Sequence, residues 1–187
     1  MSDAPGAGWR IERADVTSAE SGALLRDYLV DVSDRWFRLH EDRASTSEEI
    51  EQSLAEMPSD DLAPPTGTFV VARSGEHLVG CAGVRVAVGR PDVAELKRMF
   101  VRPEVRGTGL AAALLDAAEE AARDLGATMV RLDTRLDLVE ARALYVRQGY
   151  VEVPAFNEGD YAEVWYAKRL AASPACTPSA VAPTTAG

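Results

Sequence analysis

The feature that most restricts what this chain can fold into is the stretch 94–125. It reads AELKRMFV, then RPEV, then RGTGLA, then AALLDAAEEAARDL. A strand-like run ends near Val101, a short turn holds Pro103, and a glycine pair, Gly107 and Gly109, opens a long alanine-rich helix. Strand, glycine turn and helix together suit a phosphate. Glycine lets backbone come close to a ligand. The first N–H groups of a helix have no partner within it, and the helix dipole favours an anion there. One such contact contributes about 0.3–1 kcal/mol when exposed and up to about 2 when partly buried.

Around that stretch the chain reads as alternating short elements. Residues 9–14 form a first strand. Thr17 and Ser18 are helix N-cap types, and Leu24, Leu25, Tyr28, Leu29, Val32, Trp36 and Phe37 follow at helical spacing, so a helix is expected over 19–37. Thr46, three residues before Glu49, forms a capping-box pattern for a helix over 47–57. Prolines and Gly67 mark 58–67 as a loop. Strands over 68–73 and 77–88 make a hairpin, and a turn over 89–92 leads into the opening stretch. Gly126 is a helix-ending residue, followed by a strand over 128–134, a helix over 140–148 closed by Gly149, and strands over 150–153 and 161–170. This order implies both parallel and antiparallel pairing, hence a mixed α/β sheet with helices on both faces. The domain expected is 9–170, between a flexible N-terminus (1–8) and a low-complexity, proline-punctuated tail (171–187) read as disordered.

Composition narrows the function classes. A length of 187 residues with 47% apolar residues suits one globular domain. Twenty Lys plus Arg against 30 Asp plus Glu give a net charge of −10, which disfavours nucleic acid and anionic membrane surfaces as partners. Cys81 and Cys176 are far apart, and His40 and His77 form no ligand pattern, so no disulfide framework and no metal site are expected. No signal-like or membrane-spanning apolar run is present, which makes the cytoplasm the expected compartment.

Two readings of the glycine turn compete. Residues 107–112 fit GxGxxA, the dinucleotide fingerprint, with Asp133 near the end of the next strand. In that fold, however, the glycines follow the strand almost directly, whereas here Arg102, Pro103, Glu104, Val105 and Arg106 intervene, and no further βαβ units follow. A P-loop lacks its lysine and hydroxyl pair. The longer pattern V-x-P-x-x-R-G-x-G-x-A, running from Val101 to Ala111, is more specific. In it, and in LYVRQGYVEV over 144–153, the chain resembles the GCN5-related N-acetyltransferase (GNAT) superfamily, across roughly 9–170. The family's Q/R-x-x-G-x-G/A motif matches as Arg106, Gly109 and Ala111. One departure is Leu138, where many relatives carry an asparagine, so no cofactor contact is carried over to that side chain.

The resemblance implies a transferase that moves the acetyl group of acetyl-CoA, as co-substrate and without a metal, directly to an amine by way of a tetrahedral species. It places the diphosphate on the backbone of Arg106, Gly107, Thr108, Gly109, Leu110 and Ala111. The pantetheine arm falls beside Met99, Phe100 and Val101, and an N–H near Phe100 becomes the oxyanion donor. Tyr145 becomes the general acid, a phenol that keeps its proton at neutral pH. Glu95 becomes the general-base candidate, although a carboxylate near pKa 4.3 needs burial or a relaying water to take a proton from an ammonium. Asp133 and Arg98 are further pocket candidates, and Trp36, Arg35 and His40 could touch a substrate. The acceptor expected is a small-molecule or amino-acid-like amine, selected by 19–57, 58–67 and 154–160. A homodimer is among the assemblies relatives form. An acyl-CoA sensor without turnover is the alternative.

Overall fold

The computed structural model describes residues 8–171. Apart from Gly8 and Ala171, the segments expected to be loose at either end lie outside the described residues. The strands are β1 (Arg10–Ala14), β2 (Gly67–Ser74), β3 (His77–Ala87), β4 (Arg90–Val101), β5 (Met129–Thr134), β6 (Val151–Val153) and β7 (Val164–Arg169). The helices are α1 (Ala19–Glu41), α2 (Ser47–Glu56), α3 (Leu110–Asp124) and α4 (Val139–Arg147). All seven strands join one sheet in the order β1-β2-β3-β4-β5-β7-β6. β1 to β4 form an antiparallel meander, α3 crosses over so that β5 runs parallel to β4, and β7 pairs antiparallel with both β5 and β6. The mixed sheet with helices on both faces is therefore the fold.

Local chemistry explains the boundaries. Ser18 accepts the N–H of Ser21 and starts α1; Thr46 and Glu49 make the reciprocal capping box of α2. Three boundaries differ from the sequence reading by more than one residue. α1 runs on to Glu41, supported by an Arg38–Asp34 pair one turn apart at 2.9 Å. The turn expected at 89–92 is shorter, because Ala87 already pairs with Arg90 and only Val88 and Gly89 (φ 72°) are left to close it. β7 begins at Val164, since Tyr161–Glu163 are held in a loop by the Glu163 N–H on Thr134 O.

Strand alternation sorts the core into two layers. Val70, Ala72, Val84, Ala94, Leu96 and Leu132 pack against Leu110, Leu114 and Leu115 of α3 and Leu144 and Tyr145 of α4. Phe69, Val71, Leu78, Cys81 and Phe100 face the other way, against Leu24 and Leu25 of α1. The sheet's decisive irregularity lies between β4 and β5. Their pairing covers only Val93↔Met129, Ala94↔Val130 and Glu95↔Arg131. Beyond Glu95 the two strands part, and residues 96–101 of β4 keep a free edge among the described residues.

Candidate active site

At the end of that free edge lies the glycine turn. Pro103–Val105 form one turn of 3-10 helix, then Gly107 (φ 79°) and Gly109 (φ 86°) swing the chain into α3. A Cβ on either glycine would meet nothing within 4 Å. The positive φ, and not crowding, is what requires glycine here. Gly109 sits at the N-cap and offers no side chain. The first bond into the helix is from the Ala113 N–H to Gly109 O at 3.2 Å. The backbone N–H groups of 107–112 consequently have no acceptor among the described residues. Such a run of free donors at a helix start fits an anion such as a diphosphate. The side chains are engaged differently: Arg106 Nε donates to Val101 O and Nη2 to Asp31 of α1, both at 2.9 Å, and the Thr108 hydroxyl donates to Val105 O at 2.8 Å. Arg106 thus braces the turn, and the backbone presents the donors.

On β4 the Arg102 N–H bonds Val79 O, so by strand alternation the N–H of Phe100 turns towards β3 and those of Met99 and Val101 towards the open edge. An N–H directed into the gap therefore belongs to Phe100's neighbours. Phe100 contributes its ring, which packs edge-on to Tyr28 of α1 at 6.1 Å.

Tyr145 is positioned by the way α4 stops. The Tyr150 N–H bonds Tyr145 O at 3.0 Å, and the Gly149 N–H bonds Val146 O at 3.1 Å, with Gly149 at φ 85°. This is the Schellman arrangement. Its accompanying contact is made by the two tyrosine rings, 5.8 Å apart. Tyr145 is 5% exposed. Burial pushes its pKa above the ordinary phenol value, and the neighbouring Tyr28 and Asp133 push the same way. The proton is held firmly. Leu138 stands at the N-cap of α4 and supplies no side-chain cap.

The face of the sheet towards α1 is charged where β4 and β5 diverge. Glu95, 7% exposed, is clamped on both sides. Arg131 Nε and Nη2 donate to Oε1 at 3.1 and 2.7 Å, and Arg85 Nε and Nη2 to Oε2 at 3.1 and 2.9 Å. Arg85 also meets Asp61, and Arg131 lies 4.1 Å over the Phe156 ring. Burial acts to raise the Glu95 pKa, but the hydrogen bonds from Arg131 and Arg85 bring it below the ordinary value. The sequence reading of Glu95 as a base meets this obstacle: both oxygens are occupied and the group is less basic than a free glutamate. Next along β4, Lys97 Nζ reaches Asp133 across the gap at 2.8 Å. Asn157 donates to the same oxygen at 3.0 Å and accepts from Trp165 Nε1 at 2.6 Å. Burial acts to raise the Asp133 pKa as well, yet Lys97 and Asn157 keep it low.

The remaining expected contacts divide. Arg35 pairs with Asp137 and Glu140 at 3.3 and 3.0 Å. Trp36 stacks on His40 at 4.5 Å, and both line a cavity of about 150 Å³ with Leu136 and Tyr161. Tyr28, Arg85 and Arg131 were not singled out by sequence; Tyr28 reads there as one more apolar position on α1. Among the described residues no cluster of His, Cys, Asp or Glu could hold a metal, and no helix is long and apolar enough to cross a membrane.

With this geometry in place, comparison with known proteins is informative. A model described as the Acetyltransferase (GNAT) family matches residues 28–150, which include the glycine turn and Tyr145. The chain is 35% identical over 96 residues to the IAA acetyltransferase of Azospirillum brasilense, covering 51% of this chain and 62% of that relative's length. Among solved structures, a proposed acyl-CoA N-acyltransferase from Klebsiella pneumoniae aligns with TM-score 0.66 and 28% identity over 87% of this chain and 97% of the other. The PaiA N-acetyltransferase of Thermoplasma acidophilum, solved with coenzyme A, shares the fold at TM-score 0.62 and 17% identity, over 87% and 99% of the two chains.

Proposed function

Because the chain belongs to the GNAT family of acetyltransferases, we propose that it transfers the acetyl group of acetyl-CoA to an amine of a small-molecule or amino-acid-like acceptor. The observation that carries this reading is the run of unpartnered N–H groups over 107–112, placed where the free edge of β4 ends. The coenzyme supplies an acetyl thioester: the amine nitrogen bonds to the carbonyl carbon, the C–S bond breaks, and the sulfur leaves as a thiol.

This chain's residues do the rest. The N–H groups of Gly107, Thr108, Gly109, Leu110 and Ala111 hold the diphosphate, with Arg106 bracing them. The outward backbone of Met99 and Val101 pairs with the pantetheine arm as an added strand would, and an N–H of that edge polarises the carbonyl oxygen. Phe100 and Tyr28 wall the acyl group. Tyr145 gives its proton to the departing sulfur. Glu95 fixes the guanidiniums of Arg85 and Arg131, and the amine's proton passes to water. The engagement of both Glu95 oxygens is also the one observation favouring the second reading, an acyl-CoA sensor without turnover.

Calorimetry with acetyl-CoA and NAD side by side, followed by thiol release with a panel of amines, tests the proposal. Acetyl-CoA is expected to bind and to release CoA with at least one amine. Tight NAD binding in its place would sink the reading, and acetyl-CoA binding without turnover on any acceptor would support the sensor.

A further inference from the structure

Arg98 sits inside β4 with φ 56° among extended residues. Lys97 pairs with Gly83 and Phe100 with Cys81, so β4 carries one residue more than β3 across this interval, a bulge. The bulge decides where the side chain goes. In β4, Ala94 and Leu96 belong to the α3 core; uninterrupted alternation would send Arg98 after them. The extra residue turns it to the α1 face instead. There its Nε donates to Ser59 Oγ at 3.0 Å and its Nη2 to Met57 O at 2.8 Å, with the guanidinium 5.9 Å from the centre of the Tyr28 ring.

Both hydrogen-bond partners are neutral. The other cations on this face each have a carboxylate: Arg85 has Glu95 and Asp61, Arg131 has Glu95, and Lys97 has Asp133. Among the described residues Arg98 makes no ion pair. Other arginines without an ion pair, such as Arg142 on the Tyr166 hydroxyl and Leu136 O, lie on α4. Among these cations of the α1 face, in a chain of net charge −10, Arg98 is the one without a counter-ion, one tyrosine ring away from Phe100. Guanidinium groups match carboxylate and phosphonate geometry through paired donors, and Nη1 is uncommitted.

We propose that Arg98 binds an anionic group, carboxylate or phosphonate, carried by the acceptor close to its amine. The acceptor class is then amino acids and aminophosphonates, in preference to simple amines or polyamines. This rests on the acetyl-transfer reading above and deepens it.

The test compares acceptors that differ only in the anion: alanine and 2-aminoethylphosphonate against ethylamine, and phenylalanine against phenethylamine, with acetyl-CoA as donor. The wild type is expected to favour at least one acidic member over its neutral partner by roughly tenfold or more in kcat/KM. Whether a carboxylate or the phosphonate gives the larger ratio identifies the anion. Arg98→Gln should collapse that ratio through KM for the acceptor, Arg98→Lys should recover part of it, and KM for acetyl-CoA should stay unchanged. Arg98→Gly, which suits a positive φ, repeats the test without straining the strand. The proposal is overturned if neutral amines match their acidic partners, if Arg98→Gln and Arg98→Gly keep the ratio, or if these two alter only acetyl-CoA affinity; in each case acetyl transfer itself stands. CoA release with no amine at all removes both readings together.

Discussion

The glycine turn and the charged face across the gap are neighbours built on opposite plans. The turn presents backbone: its N–H groups over 107–112 have no acceptor among the described residues, its glycines have open space around them, and its side chains serve to brace it. The charged face presents side chains: Glu95, Arg85, Arg131, Lys97, Asp133 and Arg98 come from three strands and are held by one another or by neighbouring loops. A backbone site accepts one chemistry and tolerates surface drift. A side-chain site can be retuned by single substitutions. The difference suits an enzyme whose donor is fixed and whose acceptor varies between relatives.

Four experiments probe that contrast, in descending order of expected effect. Tyr145→Phe should lower kcat by about 10²–10⁴-fold with acetyl-CoA affinity intact by calorimetry; undiminished turnover would remove Tyr145 as the acid. Gly109→Trp should weaken acetyl-CoA binding by roughly a hundredfold, the loss of several donor contacts at once. Circular dichroism should show the fold retained at a lower thermal midpoint, because a side chain there meets open space but is strained by the positive φ. Normal affinity would detach the turn from the diphosphate. Glu95→Ala should cost about 3 kcal/mol of stability in thermal unfolding, since two guanidiniums lose their shared carboxylate in a mostly buried setting. A variant of unchanged stability and lost activity would return Glu95 to the role of base and dissolve the contrast. The smallest effect is with acid. Glu95 and Asp133 are both held below their ordinary values, so their pairs contribute fully above the unfolded-state pKa near 4 and are lost as pH falls through the folded values. Denaturant midpoints should therefore fall between pH 6 and about pH 3, and less so in Glu95→Ala; identical slopes in the two proteins would contradict the clamp.

The same contrast explains what could be read from the sequence. Everything at the turn is local: the strand end, Pro103, the glycine pair and the helix start follow one another within a few residues, and Gly126 and Gly149 mark helix ends by the same short-range logic. The order of elements, and with it the sheet, follows. The charged face is not local. Glu95 lies 10 positions from Arg85 and 36 from Arg131, so strand position alone showed a carboxylate near a reacting centre without the partners that engage it. The bulge at Arg98 has no composition signal, since nothing in KRMF announces a positive φ at an arginine. Arg106 fits its motif position, yet its guanidinium is spent on Val101 O and Asp31, a partner 75 positions away. Tyr28 was visible only as one apolar position among several on α1.

The Schellman end of α4 carries a consequence for how this part of the chain can vary. The bond from the Tyr150 N–H to Tyr145 O and the positive φ of Gly149 stop the helix and at the same time set the azimuth of the phenol on its last turn. Helix length and hydroxyl position are thus a single variable. An insertion or deletion between Tyr145 and Tyr150 moves the helix end and the hydroxyl together, and no compensating change elsewhere in α4 restores one without the other. This spacing behaves as a ruler, and drift in the loop beyond β6 is invisible to it.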